Sequence, residues 1–257
     1  MFHIEVVPLE RLYEEKYGRI LCYPRYDLKE LRRRVRELEE LGVQALEFAG
    51  EKTAFDVPVL GKGCVGIVVA ASMDGRRVAL KIRRIDADRT GMRREADMLR
   101  KANAVDVGPN LIDATENFLV MEFVEGTLLP RWVEELKERV KSRIRRVLWA
   151  VLEQCWRLDE IGLDHGELSR APKHIIIDAH DEPCIVDFET ASVSRRVSNV
   201  TSICQYLFIG SQTARMMAKR LGEIDREELI RALRRYKQRR TRKKFEKVLG
   251  VCDLHKV

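Results

Sequence analysis

No two cysteines of this 257-residue chain form a C-x-x-C pair, which removes the usual ligand spacing of a zinc ribbon. The six present, Cys22, Cys64, Cys155, Cys184, Cys204 and Cys252, are dispersed. Reduced, buried cysteines in a cytoplasmic protein are the expectation. Long apolar runs are missing too. The longest, such as GIVVAA and III, have the length of a strand, so neither a secretory signal nor a membrane span is expected. Asparagine and glutamine are scarce while Lys, Arg and Glu abound, a bias of hyperthermophile proteins that suggests a thermophilic source. No internal repeat or low-complexity tract stands out.

What is present is a globular composition, 45% apolar and 35% charged, enough for one large domain or two small lobes. The formal charge is +7, but Arg215 to Lys247 alone carries 14 Lys and Arg against 5 Asp and Glu, which leaves the rest of the chain near neutrality. Within it REELIRALRRYKQRRTRKKFEKVLG reads as a helix. Leu229, Leu233 and Tyr236 form its apolar stripe, flanked by Arg231, Arg234 and Arg235. Two readings stand: a solvated amphipathic helix, or a phosphate-neutralising contact for RNA or a ribonucleoprotein. Sparse aromatics argue against base-specific readout.

Along the chain, FHIEVV reads as a short strand and DLKELRRRVRELEELG as a helix capped by Asp27 and Gly42. Leu28, Leu31, Val35, Leu38 and Leu41 recur every three or four residues as one apolar stripe. From Phe55 the pattern turns to β. GIVVAASM, Asp74-Gly75 and RRVALKIRR predict a hairpin with a type I′ turn. RTGMRREADMLRKAN predicts a helix, followed by strands at NLIDAT and NFLVMEFV. After Gly126 helices dominate, led by ERVKSRIRRVLWAVLEQCWRLDEIG and interrupted by a β-ribbon over 174–187. A β-rich half before a helix-rich half predicts two lobes.

Gly61, Gly63, Gly66 and Val68 form a G-x-G-x-x-G-x-V pattern in LGKGCVGIVVA. Glycines let a backbone bring N–H groups against phosphate oxygens, although a bulged hairpin reads the same. A Rossmann loop needs a helix directly after the glycines; here β-branched residues and a hairpin follow. In the VALK run that comes next, Ala79 and Lys81 share one face of a strand. Ala79 leaves room for a flat base and Lys81 reaches for phosphates. A buried lysine needs an acid, and Glu95 in the READML helix is the best candidate. The bland alternative makes both charges ordinary surface residues.

Glycine flap, V-A-L-K lysine, helix glutamate, a His-Gly-acid-Leu loop and Asp-Phe-Glu occur in the chain order of protein kinases. The wording resembles the compact atypical kinases, the RIO-type kinases and the small kinase of the archaeal and eukaryotic tRNA-modification complex, over roughly residues 56–210. The resemblance implies an α+β, protein-kinase-like two-lobed fold with a small β-rich N-lobe and a helical C-lobe. Residues 1–55 would be an appendage, 56–125 the N-lobe and 126–257 the C-lobe with its basic helix. It also implies ATP and Mg²⁺ (or Mn²⁺). Gly61, Gly63 and Gly66 would cover the phosphates, and Lys81 would hold the α and β phosphates, oriented by Glu95. Glu122 and Phe123, in a hinge-like LVMEFVEG, would offer backbone groups to adenine. Asp187 would hold the metal.

The loop LDHGELSRAPKHIIID departs from this pattern. The acid after His-Gly is Glu167 instead of aspartate. No asparagine occurs between Asn117 and Asn199, so the usual second metal ligand is missing. His174 stands before the strand in its place, two residues later, and reads either as a metal or phosphate ligand or as a structural histidine. Glutamate has nearly the acidity of aspartate but one more methylene, and about 1 Å of misplacement can cost about 100-fold. Asp164 is a competing base, with Glu167 favoured. Lys173 or Arg170 would neutralise the transferring phosphoryl group. Asp187-Phe188-Glu189 keeps the metal-binding acid but loses the glycine of a flipping switch, and no Ala-Pro-Glu follows. The expected function is an ATP-dependent phosphotransferase, an atypical serine/threonine kinase acting on a protein or on itself. The alternatives are a small-molecule kinase of aminoglycoside-kinase type, or a nucleotide-binding scaffold with an RNA-associated role.

Overall fold

A computed structural model describes residues 4–137 and 140–254. Phe2 and His3, where the first expected strand opens, lie outside the described residues, as do Glu138 and Arg139 at the start of the long expected helix. The chain forms two compact units, Met1–Arg100 with Pro109–Phe123, and Lys101–Gly108 with Val124–Val257. No helix among the described residues is long and apolar enough to cross a membrane.

The first unit runs β1 (Glu5–Pro8), α1 (Glu15–Leu21), α2 (Leu28–Glu40), β2 (Val43–Phe48), β3 (Lys52–Ala54), β4 (Val57–Val59), β5 (Gly61–Lys62), β6 (Gly66–Met73) and β7 (Arg76–Arg83). It continues with α3 (Gly91–Asn103), whose last three residues are counted in the second unit, β8 (Leu111–Ala114) and β9 (Phe118–Glu122). Its main sheet has the antiparallel order β1-β2-β6-β7-β9-β8, with β5 also paired to β6. The β6–β7 hairpin turns at Asp74 and Gly75, with φ of 50° and 70°, the left-handed pair that a type I′ turn requires. Asp27 caps α2 by accepting from the Glu30 N–H at 2.9 Å, and Gly42 ends it at φ +76°.

Residues 5–48 do not stand apart from this sheet. β1 and β2 extend it through β6, and Leu31, Val35 and Leu38 of α2 share one apolar core with Ile67, Val69, Leu80 and Ile82. Leu28 is the exception to the predicted stripe, 45% exposed in the first turn. A buried arginine ties helix to sheet. Arg34, fully buried, donates to the carbonyls of Leu21 and Arg83 at 2.5 Å, to Glu30 at 2.8 Å and to Asn117 Oδ1 at 3.1 Å. Satisfying all these groups is what makes a buried charge tolerable.

The second unit holds β10 (Thr127–Leu128), α4 (Leu129–Glu135), α5 (Lys141–Glu160), β11 (Ile175–Ile177), β12 (Pro183–Ile185), α6 (Asn199–Cys204), α7 (Gln212–Leu221), α8 (Arg226–Gln238) and α9 (Arg242–Val251). β10, β11 and β12 form a small antiparallel sheet. The basic stretch expected as one helix is two. Arg239 and Thr241 adopt extended backbone and break it into α8 and α9. Leu229, Leu233 and Tyr236 are buried, as the stripe requires. None of the six cysteines is in a disulfide; Cys22, Cys155, Cys204 and Cys252 are buried as expected, whereas Cys184 is half-buried and Cys64 exposed.

Candidate functional site

In the first unit the glycine pattern becomes a tight β-turn. Gly61 pairs with Val68 across β5 and β6, and the Gly63 N–H donates to the Gly66 carbonyl at 2.8 Å. The glycines differ in what they permit. A Cβ at Gly66 would meet the Ile82 carbonyl at 2.8 Å and Lys81 Cγ at 3.2 Å, whereas one at Gly61 would touch Val68 at an ordinary 3.5 Å. Gly66 is therefore needed for close strand approach at the lysine.

Lys81 and Ala79 lie on β7, and both are buried. Lys81 Nζ donates to both oxygens of Glu95, at 2.9 and 2.7 Å, with the two side chains 5% and 3% exposed. Such a pair persists in a low-dielectric surrounding only with good geometry, and the bidentate contact provides it. Met92 and Ala96 on the same turns of α3 pack against Leu119 of β9, which fixes the helix that carries Glu95. The Glu122 N–H donates to the Asn110 carbonyl at 2.9 Å, so it is not available to a nucleotide edge. Phe123 follows, its ring covered by the Arg77 guanidinium at 4.1 Å.

In the second unit the loop of Asp164 to His174 is tied down from below. Asp164, 3% exposed, exchanges two backbone hydrogen bonds with Ser192. Its carboxylate accepts from Arg195 Nε at 2.6 Å, the Ser198 N–H at 2.8 Å and Ser198 Oγ at 3.2 Å. Both oxygens accept from donors that hold the loop, a setting that suits an anchoring acid. His165 is fully buried, donates its N–H to Asn199 Oδ1 at 2.8 Å, and lies 5.0 Å from the Phe188 ring. Burial, with His174 acting the same way, pushes its imidazole down to about 4.

Beneath this loop lies a polar network that motif reasoning missed. Asn199 also donates to Asp159 Oδ1 at 2.9 Å and to the Leu163 carbonyl at 2.7 Å, while Tyr236 donates to Asp159 Oδ2 at 2.7 Å. Burial raises the Asp159 carboxyl, opposed by these bonds. The available signal was an acid at position 159 in helical register with Cys155 and Trp156 on the buried stripe of α5. The partner segment, ASVSRRVSN, offered no pattern that marks Arg195 or Ser198 as anchors.

Glu167, His174 and Asp187 meet. Glu167 Oε2 lies 2.8 Å from His174 Nε2, and His174 Nδ1 lies 3.7 Å from Asp187 Oδ2. One donor atom from each lies within 4.8 Å of the others. The carboxylate stands at ion-pair distance, 2.8 Å, but neither ring nitrogen has a formed hydrogen bond. Burial lowers the imidazole's basicity, with Asp187 pulling the other way and Lys173 reinforcing the fall. Asp187 follows β12 by two residues and sits at φ +73°, a left-handed backbone that aspartate tolerates better than most residues. Lys173 Nζ stands 3.6 Å from the same Asp187 oxygen. Glu167, with its side chain 38% exposed, is the accessible acid of the loop. Two acids around a buried imidazole without hydrogen bonds are a donor set that fits a divalent ion.

A family model described as the RIO domain matches residues 69–200, just over half of the chain. No curated protein matches it. The matched span starts in β6 and ends in α6, so it takes in the lysine–glutamate pair and the Glu167–His174–Asp187 cluster. This chain belongs to the RIO domain family, with the α+β, protein-kinase-like fold of an atypical ATP-binding phosphotransferase.

Proposed function

We propose that the protein is a serine/threonine protein kinase that moves the ATP γ-phosphate to a protein hydroxyl, its own included. The observation that carries this reading is the buried, bidentate Lys81–Glu95 pair beside the glycine turn. An ammonium fixed at both carboxylate oxygens is pre-positioned for phosphate, and phosphoryl transfer depends chiefly on such positioning and on charge neutralisation. Gly61, Gly63 and Gly66 cover the phosphates, Val68 and Ala79 pack against the base, and Phe123 offers its backbone to the adenine edge. Glu122 is left with its carbonyl for that role. Asp187 would hold a divalent ion, which would supply neutralisation of charge on the transferring group.

In the proposed chemistry the acceptor oxygen attacks the γ-phosphorus as the bond to the β-phosphate oxygen breaks and ADP leaves. Glu167 takes the acceptor proton, and Lys173 offsets negative charge on the transferring group. Asp164 holds the loop and does not touch substrate. The acceptor approaches over an open, mixed apolar and polar pocket of ≈ 590 Å³ in the second unit, bordered by Pro130, Ser169, Arg170, Tyr206 and Met216. The basic face of α8 and α9, with Arg231, Arg234, Arg235 and Lys243 exposed, is proposed to lean on an anionic partner such as RNA.

Labelled ATP with Mg²⁺ or Mn²⁺ and the protein alone tests the reading. Transfer to a serine or threonine of the protein is expected, and Lys81→Met is expected to abolish it while leaving a folded chain. Full activity in Lys81→Met contradicts the phosphate contact, and transfer confined to small metabolites would replace the protein acceptor by a small-molecule one.

A further inference from the structure

His174 is a buried imidazole whose two nitrogens make no formed hydrogen bond inside the protein. Its side chain is 1% exposed, and neither Nδ1 nor Nε2 has a hydrogen-bond partner. Buried polar groups are nearly always satisfied, and an exception calls for an explanation such as an absent ion. The neighbours indicate which explanation applies. Asp187 Oδ2 faces Nδ1 across 3.7 Å, too far for a hydrogen bond. It is a natural separation for two donors on one ion, since ligands bonded at about 2.0–2.2 Å stand about 3.0–4.2 Å apart.

The far side of the ring is equally specific. Glu167 Oε2 lies 2.8 Å from Nε2. A metal-bound histidine usually directs its second ring N–H to a carboxylate, which fixes the tautomer and the ring plane. A rotation of the partly exposed Glu167 side chain would complete that arrangement. Lys173 Nζ is 3.6 Å from the same Asp187 oxygen, and its side chain, 58% exposed, has room to swing aside.

We propose that His174 Nδ1 and Asp187 Oδ2 together ligate a divalent ion of the nitrogen-accepting kind, Mn²⁺, Co²⁺ or Zn²⁺, in preference to Mg²⁺, with Glu167 orienting the imidazole from behind. Mg²⁺ demands oxygen donors and parts reluctantly with its waters, whereas imidazole suits first-row transition ions. The inference deepens the kinase reading and rests on it for the role of the ion as the companion of ATP.

The test uses the full chain and Mn²⁺ alone. Pulsed electron paramagnetic resonance at one equivalent of Mn²⁺ should show ¹⁴N coupling from a directly bound imidazole. His174→Asn, which supplies an oxygen instead, should lose that coupling. Competition should show the Mn²⁺-over-Mg²⁺ preference of the unmodified protein falling by about tenfold or more in His174→Asn. Bound Mn²⁺ without nitrogen coupling in the unmodified chain overturns the proposal, and that result does not depend on the variant folding. Coupling that survives in His174→Asn overturns it as well. Transfer supported by Mg²⁺ with no nitrogen coupling would leave the kinase reading standing and remove this one. Nitrogen coupling without any ATP-dependent transfer would do the reverse.

Discussion

Replacing Asp164 by asparagine and by alanine, beside Glu167→Gln, separates an anchoring acid from a reacting one. In Asp164→Ala the half-buried Ser198 N–H loses its acceptor at 2.8 Å, a loss of about 1–3 kcal/mol for a fully buried donor and toward the lower end here. Arg195 loses a 2.6 Å contact, but its side chain is 46% exposed and rehydrates, so that loss is about 0.5–1 kcal/mol. Ser198 Oγ already has Ser202 Oγ at 3.2 Å and contributes little. The sum is about 1.5–3 kcal/mol, a fall in Tm of roughly 3–12 °C for a chain of this size. Asp164→Asn keeps one acceptor and should lose about half as much. At a temperature where the protein stays folded, its transfer rate should remain within about tenfold of the parent. Glu167→Gln should leave Tm in place and lower transfer by about 10²–10⁴-fold, the usual worth of a general base. Thermal denaturation and single-turnover transfer from labelled ATP read the two effects separately. An Asp164→Asn protein with parental Tm and no transfer, next to an active Glu167→Gln, would refute the assignment.

Three further perturbations address the supporting structure. Gly66→Ala places a Cβ 2.8 Å from the Ile82 carbonyl, so it should cost about 1–3 kcal/mol and displace Lys81; equilibrium ATP binding should weaken, while Gly61→Ala should change stability little. In Tyr236→Phe the Asp159 carboxylate loses a 2.7 Å hydrogen bond in a buried setting, and chemical denaturation should show a loss of about 1–3 kcal/mol; an unchanged midpoint would mean the network under the loop is not stabilising. Burial raises the Glu30 carboxyl, but hydrogen bonds from Arg33 and Arg34 outweigh it and bring it down to about 2. Its folded value lies below its unfolded one, so its contribution is present above pH ~4.5 and lost as the pH falls from there toward 2, at most about 3 kcal/mol. Acid titration followed by near-ultraviolet circular dichroism should show a shallower slope for Glu30→Gln in that window, and identical slopes would count against the Arg34 anchor.

How much was legible in the sequence depended on how far apart the interacting residues lie. The β6–β7 hairpin was readable because alternation and the Asp-Gly turn act over a few residues, and the Asp27 cap and the Leu31–Val35–Leu38 stripe are equally local. The Lys81–Glu95 partnership was readable from a strand lysine with no other reason to be inward, 14 residues from an acid on an amphipathic helix. The joining of residues 5–48 to the sheet was not readable, because β2 pairs with β6 across an intervening ribbon and strand propensity carries no address for its partner. Arg34 looked like any charge on a charged helix; its burial depends on Asn117, 83 residues away.

The loop's chemistry divides along the same line. Composition and motif order alone determined that a lysine, a helix glutamate, a loop acid and a strand-end aspartate would follow one another, since those signals are residue identities at short spacings. Only the tertiary structure decided that Asp164 is consumed by Arg195 and Ser198, and that His174 stands between Glu167 and Asp187 with both nitrogens unclaimed. Which donor reaches a buried oxygen is a matter of three-dimensional packing, and that packing joins segments whose sequences carry no mark of each other.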